Sequence, residues 1–83
     1  MARPVKHSLT LNGHRTSVSL EPEFWHAFRE MARRRGVAIN ALAAEIDTER
    51  GTRHGLATAI RLAVLRDLQE RLARAQLQSD EDR

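Results

Sequence analysis

The 83-residue sequence has no cysteine and no tyrosine, only two prolines, and just two phenylalanines and one tryptophan. Without cysteine there is no disulfide, no thiolate metal site and no thiol nucleophile, a composition compatible with a reducing cytoplasm. No apolar run approaches the length that spans a bilayer. The first residues, MARPVKHSLTLNG, lack the continuous hydrophobic segment of a secretory signal. The expectation is a soluble, cytoplasmic protein with no membrane partner. One further absence is local: residues 1–20 contain no acid, while Arg3, Lys6 and Arg15 lie there with His7 and His14 beside them. A positive field concentrated on one segment points to a polyanionic partner. Residues 55–83, by contrast, balance their arginines with acids.

A chain of this length fits one domain, and a lone core of that size is marginal unless a metal, disulfides or a second subunit adds to it. From Arg15 the residues alternate, Thr16, Val18 and Leu20 on one side and Arg15, Ser17 and Ser19 on the other, which predicts a half-buried strand ending at Leu20. Glu21-Pro22-Glu23 then starts a helix, because proline fits the first turn and acids suit the positive end of the dipole. That helix is predicted over Pro22 to Arg35, with Phe24, Trp25, Phe28, Met31 and Ala32 on its apolar face and Gly36 closing it. Asn40 is the expected N-cap of a second helix, whose apolar side is Leu42, Ala43 and Ile46. GTRHG at 51–55 breaks the pattern. A third helix is expected from Leu56 to Leu77, with Leu56, Ile60, Ala63, Val64, Leu68 and Leu72 on its face, followed by a solvated tail, QSDEDR.

Before the strand, Asn12-Gly13 sits between two alternating runs, SLTL and HRTSVSL, a strong short-range sign of a tight hairpin. Parity agrees. A two-residue turn pairs Leu11 with His14, Leu9 with Thr16, Thr10 with Arg15 and Ser8 with Ser17, and this reunites the apolar residues on one face. The other reading is a flexible basic arm that bends at Asn-Gly. The chain therefore divides into a basic arm or outer hairpin strand (1–14), a strand-helix-helix core (15–50), a third helix (51–77) and an acidic flexible tail (78–83). One strand or one hairpin followed by helices is not expected to bury its own apolar face, and a lone strand leaves a row of backbone groups unpaired. A second copy can satisfy both needs by antiparallel pairing. Val18, Leu20, Phe24, Trp25, Phe28, Leu42 and Ile46 would then form a core shared by a homodimer.

The stretch SVSLEPEFWHAFREMARRRGVAINAL, residues 17–42, resembles the ribbon-helix-helix family of bacterial DNA-binding proteins, which includes the Arc and plasmid copy-control repressors. HRTSVSLEPEFW is similar to a bacterial subfamily that adds a third helix. The resemblance implies a mainly α fold with a short antiparallel intersubunit β-ribbon, an intertwined dimer and sequence-specific binding of double-stranded DNA by a repressor-like transcriptional regulator. In that family the ribbon enters the major groove, and the outward alternate residues meet base edges. By position these are Arg15, Ser17 and Ser19. Arginine can donate two bonds to guanine, so Arg15 would discriminate most strongly. Asn40 and Ala41, at the start of the second helix, would offer amides to a phosphate. Arg33, Arg34 and Arg35 would contact the DNA backbone. A paired-hairpin dimer meets one geometric conflict, because four strands are roughly 15 to 19 Å wide against a major groove of about 12 Å.

Other classes leave weaker marks. His7, His14, His26 and His54 form no close pair with metal-ligand spacing, so no metal or cofactor is expected. Glu21, Glu23 and Glu45 are scattered acids without a nucleophile or a phosphate loop, so no enzyme is expected. The rival reading is a protein-interaction module or antitoxin, in which LQERLARAQLQSDEDR docks on a partner protein or on a second dimer.

Overall fold

A computed structural model describes residues 3–81, in the order β1 (Val5–Leu11), β2 (His14–Leu20), α1 (Pro22–Arg35), α2 (Ile39–Arg50) and α3 (Leu56–Glu81). Asn12 (φ 51°) and Gly13 (φ 85°) both take positive φ, as a two-residue hairpin turn demands. The register pairs Leu11 with His14, Thr10 with Arg15, Leu9 with Thr16 and Ser8 with Ser17, and continues through Val5 and Leu20. Both strands are paired over their whole length, so the first strand is part of a ribbon and not a loose arm.

Leu9, Leu11, Val18 and Leu20 project from one face of this ribbon and are buried. The helices cover them from the same side with Phe28, Met31, Ala32, Leu42, Ala43, Ile46, Ala59, Ile60 and Val64. Phe28, Leu20, Leu42 and Ile60 are the largest side chains fully withdrawn from solvent. This corrects the expectation that the hairpin cannot bury its own apolar face: three helices of one chain cover it, because the ribbon is only two strands wide. Phe24 and Trp25 stay half-buried at the margin, Trp25 stacked on His7 with ring centroids 3.8 Å apart and Phe24 beneath the Arg61 guanidinium at 5.8 Å.

α1 begins at Pro22 and ends at Gly36, whose left-handed conformation (φ 68°) returns its amide to the carbonyls of Ala32 and Arg33. Asn40 is not the cap of α2. The helix starts two residues earlier than that cap would set it, at Ile39, with Ala38 in the capping position and no side-chain cap. α3 also departs from expectation at its far end. Gln78, Ser79 and Asp80 continue the helix to Glu81 instead of forming a solvated tail, since neither glycine nor proline intervenes to stop it. Asp82 and Arg83, the last of that predicted tail, and Met1 and Ala2 lie outside the described residues. Ile60 and Val64 are buried as the periodicity predicts, but Leu68 and Leu72 of the same predicted face are exposed, because the helix runs past the end of the core that would cover them.

Candidate nucleic-acid interface

The face of the ribbon turned away from the helices is built from alternate residues of both strands. Lys6 lies opposite Ser19, Ser8 opposite Ser17, and Thr10 opposite Arg15, all of them exposed. The alternation that buries Leu9, Leu11, Val18 and Leu20 forces these six outward together. The face carries hydroxyls and two cations, and no acid. Arg15, Ser17 and Ser19 lie where the sequence predicts, on the outward side of β2. Sequence reasoning left out Lys6, Ser8 and Thr10 as site residues, although the Asn-Gly register contains the signal that would place them there.

The two edges of the ribbon differ. A two-residue turn makes Leu11 and His14 exchange backbone bonds, so bonding pairs alternate along the ladder, and the amides of Lys6, Ser8 and Thr10 on β1 and of Arg15, Ser17 and Ser19 on β2 point away from it. On the β1 edge the Thr10 N–H donates to Asn40 Oδ1 at 3.1 Å. Among the described residues no hydrogen bond reaches the outward amides of β2. The Asn40 side chain thus terminates a strand edge 30 residues away instead of capping its own helix, because an edge amide with no ladder partner needs an acceptor and α2 passes beside it.

That bond holds the α2 N-terminus against the flank of the polar face. The first α2 amide with a backbone acceptor is Leu42, bonded to the Ala38 carbonyl at 3.0 Å. The N–H groups of Ile39, Asn40 and Ala41 have no acceptor within the helix. The first turn of α2 contains no acid, so the positive end of the helix is uncompensated.

The three arginines at the end of α1 are all engaged with carboxylates. Arg33 pairs with Glu30 at 2.6 Å on a side chain that is largely solvated, and Arg35 lies 3.9 Å from Glu45. Arg34 is committed further, donating two bonds to Asp67 of α3 at 2.5 and 3.3 Å. The Arg34 hydrogen bond holds the Asp67 carboxyl below the usual range against partial desolvation, and raises the pKa of Arg34 in turn. A second tether joins Arg61 of α3 to Glu21, with Nε and Nη2 at 2.9 and 2.8 Å from one carboxylate oxygen. Glu21 is lowered by a hydrogen bond with backbone at its own position and then by Arg61. Arg34 and Arg61 thus fasten α3 to the two ends of α1, a role that the sequence pattern did not disclose.

Among the described residues no three His, Cys, Asp or Glu side chains gather as a metal site would require. No helix among the described residues is long and apolar enough to cross a membrane. Residues 4–68 match the family model of the ribbon-helix-helix domain. No curated protein and no solved structure matches the chain.

Proposed function

The chain belongs to the ribbon-helix-helix family, and on that premise we propose that it is a repressor-like, sequence-specific transcriptional regulator of the bacterial cytoplasm that binds double-stranded DNA as a homodimer. The observation that carries this reading is the acid-free polar face of the ribbon, with an uncompensated helix N-terminus fixed at its flank. The difference between the two edges supports the dimer. β1 is closed at Thr10 by Asn40, and the open β2 edge meets its antiparallel counterpart in a second copy, giving the order β1-β2-β2′-β1′. Of the core set, Val18, Leu20, Phe28, Leu42 and Ile46 are buried within one chain, so Phe24 and Trp25, half-buried at the margin, are the members left for the partner to cover.

The width of the four-stranded sheet then assigns roles. The pairing of β1 along its full length favours an outer strand that stays in the sheet on binding over one that peels away. The two central β2 strands face the groove floor, where Arg15 reads guanine and Ser17 and Ser19 adapt to neighbouring bases. The β1 strands lie against the groove walls, with Lys6, Ser8 and Thr10 toward sugar and phosphate. The amides of Ile39, Asn40 and Ala41 hold a phosphate at each flank. Arg33, itself largely solvated, and Arg35, 3.9 Å from its carboxylate partner, contribute backbone contacts, whereas Arg34 serves α3. No enzymatic activity and no cofactor belong to this reading.

The test is selection of bound fragments from genomic DNA, followed by salt titration on the best one. Each neutralised phosphate releases counterions, so the logarithm of the association constant falls linearly with the logarithm of salt concentration. Failure to enrich any sequence, or binding indifferent to salt, defeats the proposal. The exposed leucines of distal α3 favour a second, compatible activity, protein contact through that helix.

A further inference from the structure

Asn12 and Gly13 form the tip of the ribbon, and both take positive φ, 51° and 85°. That pair of values is the type I′ turn. The other favoured two-residue hairpin turn, type II′, keeps φ of its first residue at about +60° and carries its ψ to about −120°. Passage from one to the other rotates a single peptide plane, between Asn12 and Gly13, and leaves the flanking pair of Leu11 and His14 in place. Glycine accepts either sign of φ, and a Cβ built on Gly13 meets no atom within 4 Å, so the plane has room to turn. Nothing holds it back. Both residues are exposed, and among the described residues no hydrogen bond engages the Gly13 N–H or the Asn12 side chain. The flipped turn is a minor form, because a residue other than glycine disfavours that ψ at positive φ.

The flip brings two reactive groups together. At a ψ of about −120° an L-residue eclipses its Cβ with the next nitrogen, so Gly13 N faces Asn12 Cγ across the outline of a five-membered ring. In the type I′ turn the same nitrogen lies far from Cβ. We propose that Asn12 is a site of self-modification, at which Gly13 N loses its proton and bonds to Asn12 Cγ while the Cγ–Nδ2 bond breaks and ammonia leaves. Water then adds to either carbonyl of the cyclic imide and reopens it, to aspartate or to isoaspartate. One water is consumed and one ammonia released, with no oxidant or cofactor. The surroundings assist. Asn12 lines an open cleft with His14 and Arg50, whose cationic character favours the negative charge that develops on the attacking nitrogen, and the one acid lining that cleft, Asp47, is engaged by Arg50 at 2.7 Å.

Asn40, the only other asparagine, lacks these conditions. It lies in the first turn of α2, where helical ψ keeps the next nitrogen turned from Cγ, and its Oδ1 accepts the Thr10 N–H. The consequence of the reaction rests on the reading of the ribbon as a DNA-binding surface. Residues 1–20 contain no acid, so conversion of Asn12 sets the first carboxylate at the tip of a ribbon that carries Lys6 and Arg15, and DNA binding weakens as the molecule ages.

Trypsin separates the two asparagines into the peptides His7–Arg15 and Gly36–Arg50. After incubation of the folded full chain at mildly alkaline pH, the first peptide should convert to two isomeric products, aspartyl and isoaspartyl, while the second stays intact. An unconverted first peptide, or a single aspartyl product of direct hydrolysis, overturns the proposal. The same incubation in urea tells whether the strands must open. A folded chain that reacts less than about a hundredfold more slowly than the unfolded one upholds the flipped turn, and greater suppression, approaching the equilibrium of global unfolding, overturns it. Asn12→Asp reproduces one product and should bind the best selected duplex about two- to fivefold more weakly than the parent at low salt. Aged parent should weaken likewise, whereas Asn12→Gly, which tolerates positive φ and lacks the reacting group, should not change with age. Equal affinities of fresh parent, aged parent and Asn12→Asp overturn the link to DNA binding. A parent that binds no duplex defeats the proposed function alone, and the peptide map still decides the chemistry.

Discussion

The backbone N–H of Thr10 donates to Asn40 Oδ1 at 3.1 Å, and this one bond joins the outer strand to the start of α2. It occupies one of the three outward amides of β1 and holds the free amides of α2 beside the polar face. Asn40→Ala is expected to cost about 0.5–1 kcal/mol in urea unfolding, because the site is exposed and water replaces most of the lost acceptor. Asn40→Asp keeps the acceptor and places an anion at the positive end of the helix, which favours folding but repels a phosphate. Stability close to that of the parent with weakened DNA binding, both measured on the aspartate variant, is therefore the expected outcome. A variant with intact DNA affinity would remove the α2 N-terminus from the interface.

Arg15 sits opposite Thr10 on the outward face, next to the Asn12-Gly13 turn. If it reads guanine through two bonds, Arg15→Ala lowers discrimination between the selected site and a variant site by roughly 1–3 kcal/mol. Lys6→Ala, on the groove wall, instead weakens all sequences alike and shallows the salt slope. Competition titrations against specific and scrambled duplexes, at two salt concentrations, distinguish the two effects. Full site preference in Arg15→Ala would refute its assignment.

Local chemistry made the ribbon and the first helix legible in the sequence. Asn12-Gly13 announced a turn that needs positive φ twice, Pro22 and Gly36 bracketed α1, and the odd-to-even switch of leucines across the turn fixed the register. The outward positions of Arg15, Ser17 and Ser19 follow from that register alone. What the pattern could not disclose is contact between distant residues. Asn40 reads as a cap because Asn before an apolar run usually caps, yet its partner is Thr10. Arg34 reads as a free cation at a helix end, yet Asp67 holds it. Leu68 and Leu72 continue the period of a buried face, and periodicity does not say where the core stops. The largest misreading concerned the hairpin: it was not expected to bury its own apolar face, and the three helices of one chain cover it together.

Gly13 takes φ 85°, and a Cβ built there meets no atom within 4 Å. The cost of Gly13→Ala is therefore backbone strain without a clash, about 1 kcal/mol. Gly36 (φ 68°) is equally open, so Gly36→Ala should cost a similar amount. The two should differ in where they act. Loosening the turn frees the strands that form the polar face, so Gly13→Ala should also raise amide exchange in β1 and β2, while Gly36→Ala leaves the ribbon protected. Equal protection of the ribbon in both variants would mean that the helices, and not the turn, hold it in shape.

The Arg34–Asp67 pair gives the fold a component that depends on pH. Arg34 lowers the Asp67 pKa relative to the unfolded chain. At neutral pH the carboxylate is ionised in both states and the pair contributes its full stabilisation. As the pH falls through the ordinary aspartate range, near 3.9, toward the lowered folded value, protons bind the unfolded chain first and the contribution is lost. Because Arg34 is partly solvated, the pair is worth about 1 kcal/mol or less, and Asp67→Asn should lose that amount at pH 7. Glu21 and Glu30 are lowered as well, so the variant keeps part of the acid dependence. The telling quantity is the stability gap between parent and Asp67→Asn, measured by urea unfolding across the acid range. It should be widest at neutral pH and close as Asp67 protonates. A gap that held constant down to about pH 2 would place its origin in packing at the α1–α3 contact rather than in the ion pair.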